Sequence, residues 1–118
     1  MRVLVATDHP DLGHALTLFL SERHIQVLAV VGDEDELLEL AFSGRPDVVL
    51  VDWRLGEAES TRMVAGLMGA DDPTPVIVLS TPRERARARE SGAAACATLG
   101  DHPDALLATL REVGSGVV

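Results

Sequence analysis

The sequence contains no lysine; all ten of its basic residues are arginines. Chemistry that depends on a lysine amine is therefore excluded throughout the chain. Basic residues of any kind are scarce, ten against nineteen acidic side chains, and a formal charge of -9 repels nucleic-acid phosphates rather than attracting them. Direct contact between this segment and DNA is not expected. Cysteine occurs once, as Cys96, so no internal disulfide can form; set in an apolar run, it reads as a buried thiol in a reducing compartment. Long apolar runs are absent too: Val3 to Ala6 and Val48 to Val51 fall far short of the roughly 20 residues of a membrane helix. With no charged leader ahead of a signal-type segment, the expected location is the cytoplasm, without a membrane partner. Neither a glycine-rich phosphate loop nor a nucleophile elbow occurs, which removes support for dinucleotide and hydrolase chemistry. The four histidines, His9, His14, His24 and His102, lack the spacing and companion ligands of a zinc site, and none is expected to bind metal.

What is present suffices for one folded domain. The chain has 118 residues, 47% of them apolar, enough for a single core and too few for a second. Arg2 to Ala6, Gln26 to Val31, Asp47 to Val51 and Val76 to Leu79 are rich in valine, leucine and isoleucine with little polar alternation, the pattern of parallel strands covered on both faces. Ala93 to Leu99 has weak strand propensity but the right position for a fifth.

Between these runs lie helical patterns. Leu12, Leu16, Phe19 and Leu20 share one face; Asp33 and Glu36 form a capping-box start before Leu37, Leu38 and Ala41, and Gly44-Arg45-Pro46 ends that segment. Met63, Val64, Leu67 and Met68 give a weaker third stripe. Thr81-Pro82-Arg83-Glu84 combines a capping hydroxyl, a proline and a glutamate at the start of a fourth helix closed by Gly92, and Asp101 is expected to cap a last helix carrying Leu106, Leu107, Leu110 and Val113. Strict alternation with short loops predicts an α/β fold, a doubly wound parallel sheet with helices on both sides.

In such sheets chemistry gathers at the carboxyl ends of the strands. There stand Thr7, Asp8 and His9, then Asp52, Trp53 and Arg54, then Ser80 and Thr81, and finally Leu99. Asp8 and Asp52 are positioned to converge on one hard cation such as Mg2+, with a backbone carbonyl as a further oxygen ligand. Ser80 offers a hydroxyl to a phosphoryl group carried by Asp52. Asp52 follows Val48-Val49-Leu50-Val51, where an unpaired carboxylate is costly to desolvate.

On these pieces the chain resembles the receiver domains of two-component response regulators. The matching segments are Val3-Leu4-Val5-Ala6-Thr7-Asp8-His9-Pro10, Pro46-Asp47-Val48-Val49-Leu50-Val51-Asp52 and Thr74-Pro75-Val76-Ile77-Val78-Leu79-Ser80-Thr81. The Asp-His-Pro opening and the Leu-Arg-Glu-Val-Gly-Ser-Gly ending look most like the NarL/LuxR-type subfamily, in which a receiver precedes a helix-turn-helix domain. The resemblance implies a (βα)5 flavodoxin-like sheet of strand order 2-1-3-4-5. It implies a receiver over residues 1–113 and, at 114–118, the start of a linker to a C-terminal DNA-binding domain. It makes Asp52 the phosphoacceptor, Ser80 the switch hydroxyl, and Asp8, Asp52 and the Arg54 backbone carbonyl the Mg2+ ligands. A histidine kinase and a homodimer through the face of the fourth helix, fifth strand and fifth helix are the implied partners. No enzyme activity beyond self-phosphorylation on Asp52 is expected.

Three positions depart from the family pattern. Thr7 stands where a second acidic residue is usual, so Mg2+ should bind weakly; Leu99 stands where a lysine normally pairs with the phosphoryl oxygens; Cys96 replaces the usual switch aromatic. Arg54 is expected to fold into the pocket and pair with Asp8 or Asp52, partly replacing metal and lysine. Trp53 is expected to pack beside the site, Glu57 and Glu59 to form a solvated loop face, and Arg83, Arg85, Arg87 and Arg89 a basic helix face. The expected function is thus an atypical receiver of a transcriptional response regulator, working through dimerisation or a partner or ligand with weak or no phosphorylation. The alternatives are a receiver phosphorylated on Asp52 by a histidine kinase, and a flavodoxin-like small-molecule-binding domain.

Overall fold

A computed structural model describes residues 1–56 and 58–114. Its strands are β1 (Arg2–Ala6), β2 (Gln26–Val31), β3 (Val48–Asp52), β4 (Val76–Ser80) and β5 (Ala95–Thr98), and its helices α1 (Pro10–Ser21), α2 (Glu34–Gly44), α3 (Thr61–Met68), α4 (Arg85–Arg89) and α5 (Pro103–Gly114). The five strands form one parallel sheet in the order β2-β1-β3-β4-β5, the flavodoxin-like order expected.

Successive side chains along a strand point to opposite faces, and the valine-rich runs exploit this to build two cores. Leu4, Val49, Val51, Val76 and Val78 meet Leu37 and Ala41 of α2 and Met63, Val64 and Leu67 of α3. Val3, Val5, Val48, Leu50, Ile77 and Leu79 meet Leu16 and Leu20 of α1 and Leu107 and Leu110 of α5. Being apolar on both faces, β3 and β4 are buried at every residue. Those two strands therefore carry Asp52 and Ser80, their last residues, into the interior.

Several local expectations shift. At the end of α2 it is Arg45, at φ 45°, that takes the left-handed position, and Gly44 is still helical. Asp33 does cap that helix, accepting from the Glu36 amide at 2.8 Å. The fourth helix is shorter than its signals suggest: Pro82–Glu84 is a single 3-10 turn and only Arg85–Arg89 is α-helical. Thr81 Oγ1 donates to the Glu84 side chain at 3.0 Å rather than capping the backbone. At α5 the Asp104 amide donates to His102 Nδ1 at 3.2 Å, so His102, not Asp101, occupies the capping position. Gly114, expected to begin a linker, is the last residue of α5; residues 115–118 and Glu57 lie outside the described residues. An antiparallel hairpin of Arg54–Leu55 with Ala58–Glu59 follows β3, and its two-residue arms are too short to leave a periodic signal. Among the described residues no helix is long and apolar enough to cross a membrane.

Candidate functional site

β1 and β3 are neighbours, with Ala6 opposite Val51, so the residues that follow β1 stand beside Asp52. Thr7 Oγ1 donates to Asp52 Oδ2 at 2.9 Å and accepts from the His9 amide at 3.1 Å. Thr7 is therefore an internal hydrogen-bond donor to the Asp52 carboxylate. Asp8 Oδ2 accepts from the Gly56 amide at 3.1 Å, an approach that the hairpin turn permits because Gly56 adopts φ 66°.

His9, expected to have no ligand role, places Nε2 3.5 Å from Asp8 Oδ1 and 3.9 Å from Asp52 Oδ2. One donor atom from each of Asp8, His9 and Asp52 lies within 4.8 Å of the others. Zinc-type spacing rules miss such a site, because its ligands come from two strand ends; the adjacency of His9 to Asp8 was the available signal. Two carboxylates, one of them exposed to water, fit a hard cation that retains part of its hydration shell. The set is one acid short, since Thr7 spends its hydroxyl on Asp52.

Asp52 is only 6% exposed, and burial pushes its carboxyl above the usual range. The Thr7 hydrogen bond and the His9 ring oppose that rise, while Asp8 and Glu84 add to it. Its backbone is held as well, for Ser60 Oγ donates to the Asp52 carbonyl at 2.6 Å and the Ser60 amide to the Trp53 carbonyl at 2.8 Å. Ser60 is fully buried, yet as one serine in a polar loop it gave no sequence signal. Ser60→Ala orphans a buried carbonyl and is expected to cost about 1–3 kcal/mol, read as a lower urea midpoint at unchanged m-value.

Arg54 does not pair with Asp8 or Asp52 as expected. Its Nε donates to Glu84 Oε2 at 2.5 Å, and Glu84 is presented opposite it by the 3-10 turn. Burial pushes the Glu84 carboxyl up, but hydrogen bonds from Arg54 and Thr81 outweigh it, and the group lies below its ordinary value. Arg54, Glu84, Thr81, Arg83, His9 and Leu99 line a cleft over Asp52.

Leu99 donates its amide to the Ser80 carbonyl at 2.7 Å, which holds the residue after β5 against the last residue of β4. Ser80 Oγ is buried without a hydrogen-bond partner among the described residues. Trp53 packs in the core at 2% exposure beside Val51, Leu55 and Met63. Glu59, expected on a solvated loop face, is half-buried, held by Arg87 at 2.7 Å through Oε1, while its Oε2 is buried without a hydrogen-bond partner among the described residues. Cys96, expected to be buried, is half-buried because β5 is the edge of the sheet; burial raises its thiol pKa and Arg89 and Arg85 oppose the rise.

The response regulator receiver domain family model matches residues 3–109. Among curated proteins, a protein-glutamate methylesterase/protein-glutamine glutaminase of Anaeromyxobacter dehalogenans is 34% identical over 94% of this chain and 36% of its own length. Response regulator GacA of Pseudomonas aeruginosa is 31% identical over 98% of this chain and 56% of its own. The chain thus spans about a third to a half of these relatives. Among solved structures, the signal receiver domain of a signal transduction histidine kinase from Syntrophus aciditrophicus superposes with a TM-score of 0.86 at 26% identity, covering 98% of this chain and 91% of that one.

Proposed function

Because the chain belongs to the response regulator receiver domain family, we propose that it is an atypical receiver of a transcriptional response regulator, one whose output is set by dimerisation or by a partner or ligand, with phosphoryl transfer to Asp52 attenuated. The observation that carries this reading is what surrounds Asp52. Its only basic neighbour within ion-pair distance among the described residues is His9, at 3.9 Å; Arg54 is committed to Glu84, and Leu99 lines the cleft in place of a cation.

Transfer from a phosphohistidine joins an Asp52 carboxylate oxygen to phosphorus as the nitrogen–phosphorus bond breaks, and charge grows on the phosphoryl oxygens. A missing preorganised charge of this kind lowers rate by roughly 100- to 1000-fold in well-studied enzymes. Burial also holds the Asp52 carboxyl above its ordinary range. Asp8, Asp52 and the Arg54 carbonyl would hold Mg2+, which supplies charge neutralisation when bound. With the neutral Thr7 in place of an acid, that affinity is reduced.

The face of α4, β5 and α5 is the proposed homodimer surface, and DNA contact is assigned to a further helix-turn-helix domain. Methylesterase chemistry belongs to the relative so named. Sedimentation velocity tests the output: the assembly state is expected to be the same with and without acetyl phosphate and Mg2+, and the same in Asp52→Asn. A phosphodonor-dependent change in assembly, lost in Asp52→Asn, would favour the second reading, a receiver switched by a histidine kinase. The unpartnered Ser80 hydroxyl supports that reading.

A further inference from the structure

A second cavity, of about 540 Å3, lies between α1, α5 and the edge strand β5. It arises from the sequence of β5. Ala95, Cys96, Ala97 and Thr98 are all small and all half-buried, whereas every residue of β3 and β4 is covered. Ala15 of α1 and Ala105 of α5, both lining the space, are too small to fill it. Its walls are Leu12, Leu16 and Phe19 from α1, Leu106 from α5, and Leu99. Both the volume and the apolar lining are those of a small-molecule site, commonly about 300–1000 Å3.

The polar end of this cavity is cationic. Arg85 lines it, and Arg89 follows one turn later on the same helix, while the Cys96 side chain, which both arginines influence, packs against the α2–α3 core on the other face of the sheet. Neither guanidinium has an ion-pair partner among the described residues, although Arg87 between them is taken by Glu59. The opposite end carries Asp101, exposed in the turn before α5, and His102, whose Nδ1 already accepts from the Asp104 amide. Among the described residues Arg85 is the one arginine that lines the cavity, so an anion meets a permanent positive charge at the α4 end.

We propose that this cavity binds a small apolar molecule bearing one carboxylate, its body against α1 and α5 and its head group on Arg85. The basic run of α4 thereby divides: Arg87 braces the hairpin and Arg85 recognises ligand. Leu99 borders both this cavity and the cleft over Asp52, and its amide holds the Ser80 carbonyl, so an occupant presses on the residue that replaces the family's lysine. The site stands independently of how far Asp52 is phosphorylated.

Calorimetric titration of the full chain with 2-naphthoic acid, set beside its uncharged analogue 2-naphthamide, tests the site. Saturable one-to-one binding of the acid is expected. Ala15→Trp, which fills the cavity from an exposed helix position, is expected to abolish it, with Ala105→Trp as an independent filler should the first variant fail to fold. Arg85→Gln is expected to weaken the acid by about tenfold and leave the amide unchanged. Absence of saturable binding, or binding unaltered by a folded filler variant, overturns the site; equal loss of acid and amide in Arg85→Gln overturns the head-group assignment.

Discussion

Thr7→Asp combined with Leu99→Lys is expected to raise the initial rate of phosphoryl transfer to Asp52 by about 100-fold, the effect of restoring one well-placed charge-stabilising group. Thr7 now donates to Asp52 Oδ2, and an aspartate there exchanges that donor for the missing acid beside Asp8. Leu99 already lines the cleft over Asp52, so a lysine at the same backbone position extends its amine over the acceptor. The two changes are coupled and are not expected to add. Thr7→Asp alone crowds a third carboxylate against Asp8 and Asp52, and its benefit is expected only with Mg2+ present; without the cation it should destabilise the fold by like-charge repulsion. Quenched time points with acetyl phosphate and Mg2+, read by intact mass, give the rates. A double variant no faster than the parent chain would mean that Thr7 and Leu99 do not limit the chemistry.

The second large effect is on stability. Asp52→Asn is expected to stabilise the protein at neutral pH, because the buried carboxyl titrates above its ordinary value of 3.8 and its ionised form is the disfavoured one in the fold. The sign follows from linkage. Below 3.8 the group is protonated both folded and unfolded, and the variant has no advantage. As pH rises past that value, the unfolded chain releases its proton first, wild-type stability falls, and the loss is complete once pH passes the raised folded-state value. An asparagine oxygen still accepts from Thr7, so the hydrogen bond at Oδ2 survives the exchange. Urea unfolding of both proteins across this range should give midpoints that coincide in acid and separate toward neutrality, with the variant higher. A variant less stable than wild type at pH 7 would mean that the pocket favours the charged carboxylate.

The parts of this site that were legible in the sequence were those set by neighbours on one strand. Asp52 and Ser80 each close a run of apolar residues that only a central strand explains, and the sheet order brought Asp8 beside them. What was not legible depended on residues far apart in the chain. Arg54 has an acidic partner 30 residues away, presented by a 3-10 turn across which the Thr81 and Glu84 side chains are hydrogen-bonded. Capping signals mark where α4 starts and stops but not how few α-helical residues lie between. Spacing along one segment does not show that His9 stands near Asp52, because His9 follows β1 and Asp52 ends β3. Cys96 was expected to be buried because its run is apolar, and composition does not distinguish an edge strand from a central one. That same edge position leaves the cavity beside α1 and α5 open.

The claim on which the rest depends is that Asp52 is a poor phosphoacceptor in this pocket. Intact mass of the full chain after prolonged exposure to excess acetyl phosphate and Mg2+, with Asp52→Asn as control, tests it most directly. The account predicts that only a minor fraction of the wild-type chain gains a phosphoryl group, and the Asp52→Asn variant none. Rapid conversion of the whole wild-type population to one phosphoryl group per chain, absent from Asp52→Asn, would contradict it.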